Sequence, residues 1–305
     1  MSTQKPIIVV TGATGSQGGS VVKFLVQDGS FHVRAITRNT SSAKAKELAT
    51  KGVEVVQADL NNPDTVVAAF KGAYGVFGVT NYFEPGEGDP GDREFQHGKV
   101  LVDAAKATGV KLFVWSTLDH TGEYKVDHFD SKARVDDYLK ASGVPRVSLY
   151  TTVFFENFTG YWPLKKGSDG IYEAYWPLLP TDKPLAGFAV EDLGAWVLAS
   201  FKNPDEWKNK DMRINADRFT PRQFVKIIEE VSGQSITLRE TDDAVFEKAK
   251  DIPGMHDIYL NIKFFNDLLE EGKLDRDDNL TKKLYPQAQN LRTWTQKHIK
   301  ALLPQ

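Results

Sequence analysis

Along its first half the chain switches repeatedly between two hydrophobic periods. Ile7 to Val10 is a solid apolar run long enough for a buried strand, and Val21, Val22 and Leu25 follow at helical spacing. His32 to Thr37 alternates apolar and polar positions as a second strand. The switch recurs through a helix over Ala43 to Lys51, a strand over Val53 to Gln57, a helix over Asp64 to Phe70 and a strand over Tyr74 to Val79. A helix over Phe95 to Thr108 then turns Val100, Leu101, Ala104 and Ala105 inward, and Leu112 to Ser116 is a fifth strand. A helix starting at Asp127 or Asp130 runs to Ser142, before a sixth strand at Val147 to Tyr150. Such alternation predicts an α/β protein with a doubly wound parallel sheet.

Beyond Tyr150 the pattern changes. Phe154, Phe155, Phe158, Tyr161, Trp162, Tyr172, Tyr175 and Trp176 crowd a segment broken by Pro163, Pro177, Pro180 and Pro184. These rings either pack a second domain or roof an apolar pocket. A helix over Val190 to Phe201, a short strand over Met212 to Asn215, a helix from Thr220-Pro221 to Val231 and a strand over Ile236 to Leu238 follow. Phe264, Phe265, Leu268 and Leu269 fall on one late helix and Trp294 to Leu303 on the last. The expected division is a nucleotide domain over 1–150, rejoined by about 186–216, with 151–185 and 217–305 forming a smaller α/β part on the substrate or partner side.

The chemistry concentrates where strands end. Gly12, Gly15 and Gly18 fall three apart between the first strand and the first helix. A strand-to-helix loop can need glycine for its turn alone, but strand, glycine turn and helix together fit a dinucleotide whose diphosphate meets the helix N-terminus. Arg38 lies twenty residues after Gly18, where an acid would bind a ribose 2′-OH; an Arg there either stands solvated at the strand end or pairs with a 2′-phosphate, and NADP(H) is the expected cofactor. Asp59 closes the third strand, to meet adenine or simply to begin a turn. Thr80, Asn81 and Tyr82 end the fourth, on the same cofactor edge. The stretch Glu84 to Arg93, rich in Gly, Pro and acid, reads as an exposed excursion or a flap.

Composition narrows the classes. With 38 basic and 41 acidic residues the net charge is −3, which disfavours nucleic acid as a partner. There is no cysteine, and the six histidines show no metal-binding spacing, so neither a thiolate nucleophile nor a metal site is expected. No apolar run approaches spanning length and residues 1–5 are polar, so the expectation is a soluble protein of the cytoplasm or also the nucleus, with no membrane partner.

Taken together, Gly12-Ala13-Thr14-Gly15-Ser16-Gln17-Gly18-Gly19, Thr37-Arg38-Asn39, Thr80-Asn81-Tyr82, His128-Phe129-Asp130-Ser131-Lys132 and Phe154-Phe155-Glu156-Asn157 resemble the NmrA-like family of atypical short-chain dehydrogenase/reductases. Val190 to Gly194 also resembles the family's return helix. The resemblance implies a Rossmann sheet in which the Gly12 to Gly18 backbone, Ser16 among it, and the Thr14 and Gln17 side chains hold the diphosphate. It assigns Arg38 and Asn39 to the 2′-phosphate, Asp59 and Leu60 to adenine, Thr80, Asn81 and Tyr82 to the ribose, Lys132 to the nicotinamide ribose, and Phe154, Phe155, Glu156 and Asn157 to the nicotinamide end. Active members of the superfamily use Tyr-x-x-x-Lys, in which the helical spacing places both groups on one face. Here the residue four before Lys132 is His128, and Ser116 stands where reductases often keep a serine. An imidazole can donate a proton near neutral pH, or His128 merely starts a helix. Two functions follow. One is an NADP(H)-binding redox sensor with a regulatory protein partner; the other is an NADPH-dependent reductase of a carbonyl, quinone or conjugated alkene, with a small apolar substrate and with Lys132 and His128 as the candidate catalytic pair.

Overall fold

A computed structural model describes residues 4–176, 182–240, 243–271, 273 and 275–303. Pro177 and Pro180 lie outside the described residues. The chain divides into two compact units, one made of Met1–His120, Asp127–Thr151 and Glu191–Met212, the other of Thr121–Val126, Thr152–Val190 and Arg213–Gln305.

In the first unit strands and helices alternate: β1 (Ile7–Val10), α1 (Ser16–Asp28), β2 (His32–Thr37), α2 (Ala43–Thr50), β3 (Glu54–Gln57), α3 (Pro63–Phe70), β4 (Ala73–Gly78), α4 (Pro90–Thr108), β5 (Leu112–Thr117), α5 (Asp127–Ser142) and β6 (Arg146–Tyr150). The sheet runs β6-β5-β4-β1-β2-β3, every one of these pairings parallel, with a strand at Lys210–Arg213 outside β6. Doubly wound topology is therefore present as the sequence predicts. Strands covered on both faces must be apolar throughout, which is why β1 and β5 read as runs rather than alternations. Val9, Val76, Phe113 and Trp115 are wholly buried beside Phe70, Leu101 and Leu139 from the helices. The chain winds from β1 to β2 on one side and to β4 on the other, so β1 and β4 flank the switch point, where open parallel sheets bind ligands beyond the strand ends.

Local capping moves several predicted boundaries. The Asp89 side chain accepts from the Asp92 N–H at 2.8 Å and Pro90 takes the first helical position, so α4 begins at Pro90 instead of Phe95 and absorbs the end of the predicted loop. Asp127, not Asp130, starts α5. The predicted helix over Val190 to Phe201 opens with a 3-10 turn at Val190–Asp192 and becomes α-helical over Leu193–Lys202. The strand expected at Met212 to Asn215 lies at Lys210–Arg213, after Asn209 has turned the chain at φ +62°.

The second unit contains the expected strand at Ile236, running to Glu240, and short strands that the sequence reading left unassigned. Leu185–Phe188 pairs parallel with Val153–Phe154 and antiparallel with Asp217–Phe219, while Tyr172–Trp176 joins Ile236–Glu240 and Lys165–Lys166. Most of the aromatic segment packs: Phe155 and Phe158 are buried with Phe219, Phe224 and Trp294, and Phe158 stacks on Phe224 at 4.1 Å. Tyr161 and Tyr175 are exposed instead, at 75% and 46%. The helix Pro221–Ser232 starts on a capping box of Thr220 and Gln223.

How closely α1 can seat on the end of β1 depends on a glycine. A Cβ at Gly18 would lie 2.3 Å from the Gly12 oxygen and 2.6 Å from the Thr11 oxygen, both backbone atoms. Gly18→Ala must therefore push α1 off the sheet. A destabilisation of about 3 kcal/mol is expected in urea unfolding, at the upper end for overpacking. Gly15→Ala, whose Cβ would sit 3.3 Å from the Gly12 oxygen, should cost less than ~1 kcal/mol.

Candidate functional site

Beyond β1 the chain enters the left-handed region at Gly12, φ +58°, and the Gly15 N–H closes the turn on the Gly12 oxygen at 2.8 Å. Gly15 then stands as the N-cap of α1 without a side-chain cap, and the first turn holds no acid. The first bond of the helix runs from Gly19 to Gly15, so the N–H groups of Ser16, Gln17 and Gly18 precede it and carry the positive end of the helix dipole. Such a terminus suits a diphosphate. The Gln17 side chain accepts from the Ser116 hydroxyl at 2.7 Å, tying α1 to β5. Thr11 fixes the other flank: its hydroxyl donates to the Val79 oxygen at 2.9 Å and accepts from the Val79 N–H at 2.7 Å. Lys44, in the first turn of α2, reaches the Thr14 oxygen at 3.2 Å and adds a cation that the sequence reading did not single out.

At the ends of β2 and β3 the predicted residues engage one another locally. Arg38 is 63% exposed and its guanidinium pairs with Glu84. The Asn39 side chain accepts from the N–H and hydroxyl of Ser41 at 2.9 and 2.7 Å. Asp59 builds a turn, accepting from the Asn61 N–H at 2.9 Å and its side-chain amide at 3.0 Å. That backbone donor, against some desolvation and with help from Arg38 and His97, holds the Asp59 carboxyl below its usual range. Leu60 packs against the core. His97 touches Asn61 at 3.1 Å, and burial pushes its imidazole below its ordinary value.

The end of β4 meets α4 and α5 around one carboxylate. Glu94 has no side-chain exposure and accepts from Thr80 at 2.8 Å, from Ser131 at 2.5 Å and from the Lys132 ammonium. Lys132 is thereby held as an ion-paired donor, 13% exposed. Sequence reading missed Glu94; its only signal was an acid at an inward position of the α4 period, one turn before His97-Gly98 and two before Leu101. Asn81 accepts from the Phe83 N–H at 3.2 Å, and the Tyr82 hydroxyl donates to Asp127 at 2.9 Å. His128 sits one turn before Lys132 among the rings of Tyr82, Phe83 and Phe129, with centroids at 5.8, 6.0 and 4.9 Å. The first unit thus gathers Thr80, Tyr82, His128 and Lys132 about α4 and α5.

Phe154, Phe155, Glu156 and Asn157 belong to the second unit. There Phe154 meets Phe188 edge-on at 5.2 Å, Phe155 is core, Glu156 accepts from the Val190 N–H at 2.8 Å, and the Asn157 oxygen receives Tyr161 and Trp162.

The NmrA-like family model matches residues 4–295. The NmrA-like family domain-containing oxidoreductase cpsB of Aspergillus campestris is 33% identical over 255 residues, 77% of this chain and 75% of that protein. Among solved structures, the fold resembles NmrA, a negative transcriptional regulator, in complex with NADP, with a TM-score of 0.79 at 22% identity over 97% of this chain and 95% of that one. It also resembles an NADPH-dependent quinone oxidoreductase from Escherichia coli, with a TM-score of 0.74 at 23% identity over 96% and 99% of the two chains. No helix among the described residues is long and apolar enough to cross a membrane.

Breaking the buried pair should cost more from one side than from the other. Lys132→Met strands a carboxylate without solvent and is expected to lose about 3–5 kcal/mol, whereas Glu94→Gln keeps a hydrogen-bonding amide against Thr80 and Ser131 and should lose about 1–3 kcal/mol. The double variant should be less destabilised than the sum of the two, as a cycle of urea unfolding curves will reveal.

Proposed function

This chain belongs to the NmrA-like family, and from that premise we propose that it binds NADP(H) on the Gly12 to Gly18 turn and serves as a sensor or regulator responsive to the NADPH/NADP ratio. The observation that carries the cofactor is the joint presence of an acid-free helix start behind the glycine turn and of Arg38 at the end of β2. The cofactor, when bound, supplies hydride chemistry; the residues of this chain hold it. Ser16, Gln17 and Gly18 offer backbone N–H groups to the diphosphate, Arg38 takes the 2′-phosphate, and Lys132 offers the nicotinamide ribose the N–H groups that Glu94 leaves over. Regulation is favoured by the environment of Lys132 and His128. The ammonium is committed to a buried carboxylate, and no phenol stands one turn before it, so the family's sensing role asks less of these residues than acid catalysis would. In this reading occupancy by oxidised or reduced cofactor biases a loop that a protein partner reads.

The second reading, an NADPH-dependent reductase of a carbonyl, quinone or conjugated alkene, draws on the oxidoreductase names of relatives at 33% identity. There His128 would donate the proton and Lys132 would orient the ribose.

NADP(H) should bind at least ~10-fold more tightly than NAD(H), about 1.4 kcal/mol, and Arg38→Ala should erase the difference in calorimetry. Gly15→Ala should still fold, at the small cost given above, yet lose dinucleotide affinity, because its new methyl stands where the diphosphate would meet the turn. Unchanged NADPH affinity in this variant would take the diphosphate off the turn.

His128→Phe separates the two roles. In a sensor, NADPH affinity stays nearly constant and no quinone- or enone-dependent NADPH oxidation is lost, since none is present. In a reductase, turnover falls by ~100-fold or more and the pH profile loses one limb. Steady NADPH consumption by the unmodified protein on a quinone and enone panel, abolished in His128→Phe, would overturn the sensor.

A further inference from the structure

The guanidinium assigned above to a 2′-phosphate already has an anionic partner inside the chain. Arg38 pairs with Glu84, which lies beyond β4 and 46 residues away in sequence. The two partners are not equally enclosed: the Arg38 side chain is 63% exposed, that of Glu84 only 17%. The acid is the anchored member. Its N–H donates to the Asn81 oxygen at 3.2 Å, and its own carbonyl accepts from Arg93 at 2.7 Å. Arg93 reaches on to the Glu87 oxygen at 3.0 Å and lies so close to Gly86 that a Cβ there would sit 3.1 Å from its side chain. This staple, projecting from the first turn of α4, fixes the loop that carries Glu84. Asp59 lies within electrostatic reach of Arg38, and His97 within reach of Glu84.

We propose that Glu84 is a specificity-determining residue which competes with the 2′-phosphate for Arg38, and so narrows the discrimination between phosphorylated and unphosphorylated dinucleotides; the inference rests on the NADP(H) reading above. A phosphate arriving at Arg38 must replace the carboxylate and then remain near its negative charge. An unphosphorylated ribose makes no such demand and leaves the pair in place. An exposed ion pair is weak, and a bidentate arginine–phosphate contact is stronger, so Glu84 reduces the preference for the phosphate without reversing it.

Calorimetry on the full chain at one fixed salt concentration tests this with 2′,5′-ADP and 5′-AMP, which carry the phosphate contrast without nicotinamide, alongside NADP+ and NAD+. Glu84→Gln is expected to bind 2′,5′-ADP and NADP+ about 5-fold more tightly, the size of a surface ion pair, while 5′-AMP and NAD+ stay within about twofold. The gain should vanish when Glu84→Gln is made in an Arg38→Ala background. Unchanged 2′,5′-ADP affinity, an equal gain for 5′-AMP, or a gain that survives the loss of Arg38 overturns the role of Glu84 while leaving the cofactor reading intact. Absence of binding by all four ligands, or NADP+ affinity indifferent to Arg38→Ala, overturns both. Glu84→Ala read in the same way replaces the glutamine variant if that protein does not melt cooperatively.

Discussion

A carboxylate without solvent organises the functional end of the first unit. Glu94 would be costly to bury alone, and the three donors that satisfy it come from two places: the end of β4 through Thr80, and successive positions of α5 through Ser131 and Lys132. Those elements can therefore adopt little relative slack. Two glycines on α4 permit the approach that the bonds demand. A Cβ at Gly91 would fall 2.1 Å from the Asp127 carboxylate, and one at Gly98 would fall 2.3 Å from Val135. Close helix contact, buried ion pair and the placement of Lys132 are thus one arrangement seen from three sides.

The order of elements was legible because burial on both faces forces apolar strands, and because α1, α4 and α5 each show one inward stripe. The glycine turn, Arg38 and the polar ends of β4 were legible for a related reason: in a parallel sheet the strand ends are where polar residues gather. What stayed hidden depends on partners distant in sequence. Glu94 finds its donors 14, 37 and 38 positions away, and Glu84 meets Arg38 across 46. A lone acid in a helix or loop announces neither. Two short strands of the second unit were equally silent: Val153–Phe154 and Asp217–Phe219 are too brief to show a period and are defined only by their pairing with Leu185–Phe188.

Holding a dinucleotide and reacting it place different demands on the same residues. Holding needs donors of fixed position, as the acid-free start of α1 and the ion-paired Lys132 would offer in the proposed reading. Proton transfer needs a group whose affinity for its proton is matched to the substrate, and in this chain that burden would rest on an imidazole lodged among Tyr82, Phe83 and Phe129. In this chain the groups on which the two demands would differ, Tyr82, Phe83, His128 and Lys132, lie on α5 and in the loop before α4.

At the switch point itself, Thr11 does with a hydroxyl what a further residue of β-ladder would do with an amide and a carbonyl. By meeting both backbone groups of Val79, it carries the pairing of β1 and β4 past the last strand residue, into the turn where the chain must diverge. The rim of the cleft between these two strand ends is consequently ordered before anything enters it. A ligand settling there surrenders its own conformational entropy but demands little more from that edge of the protein.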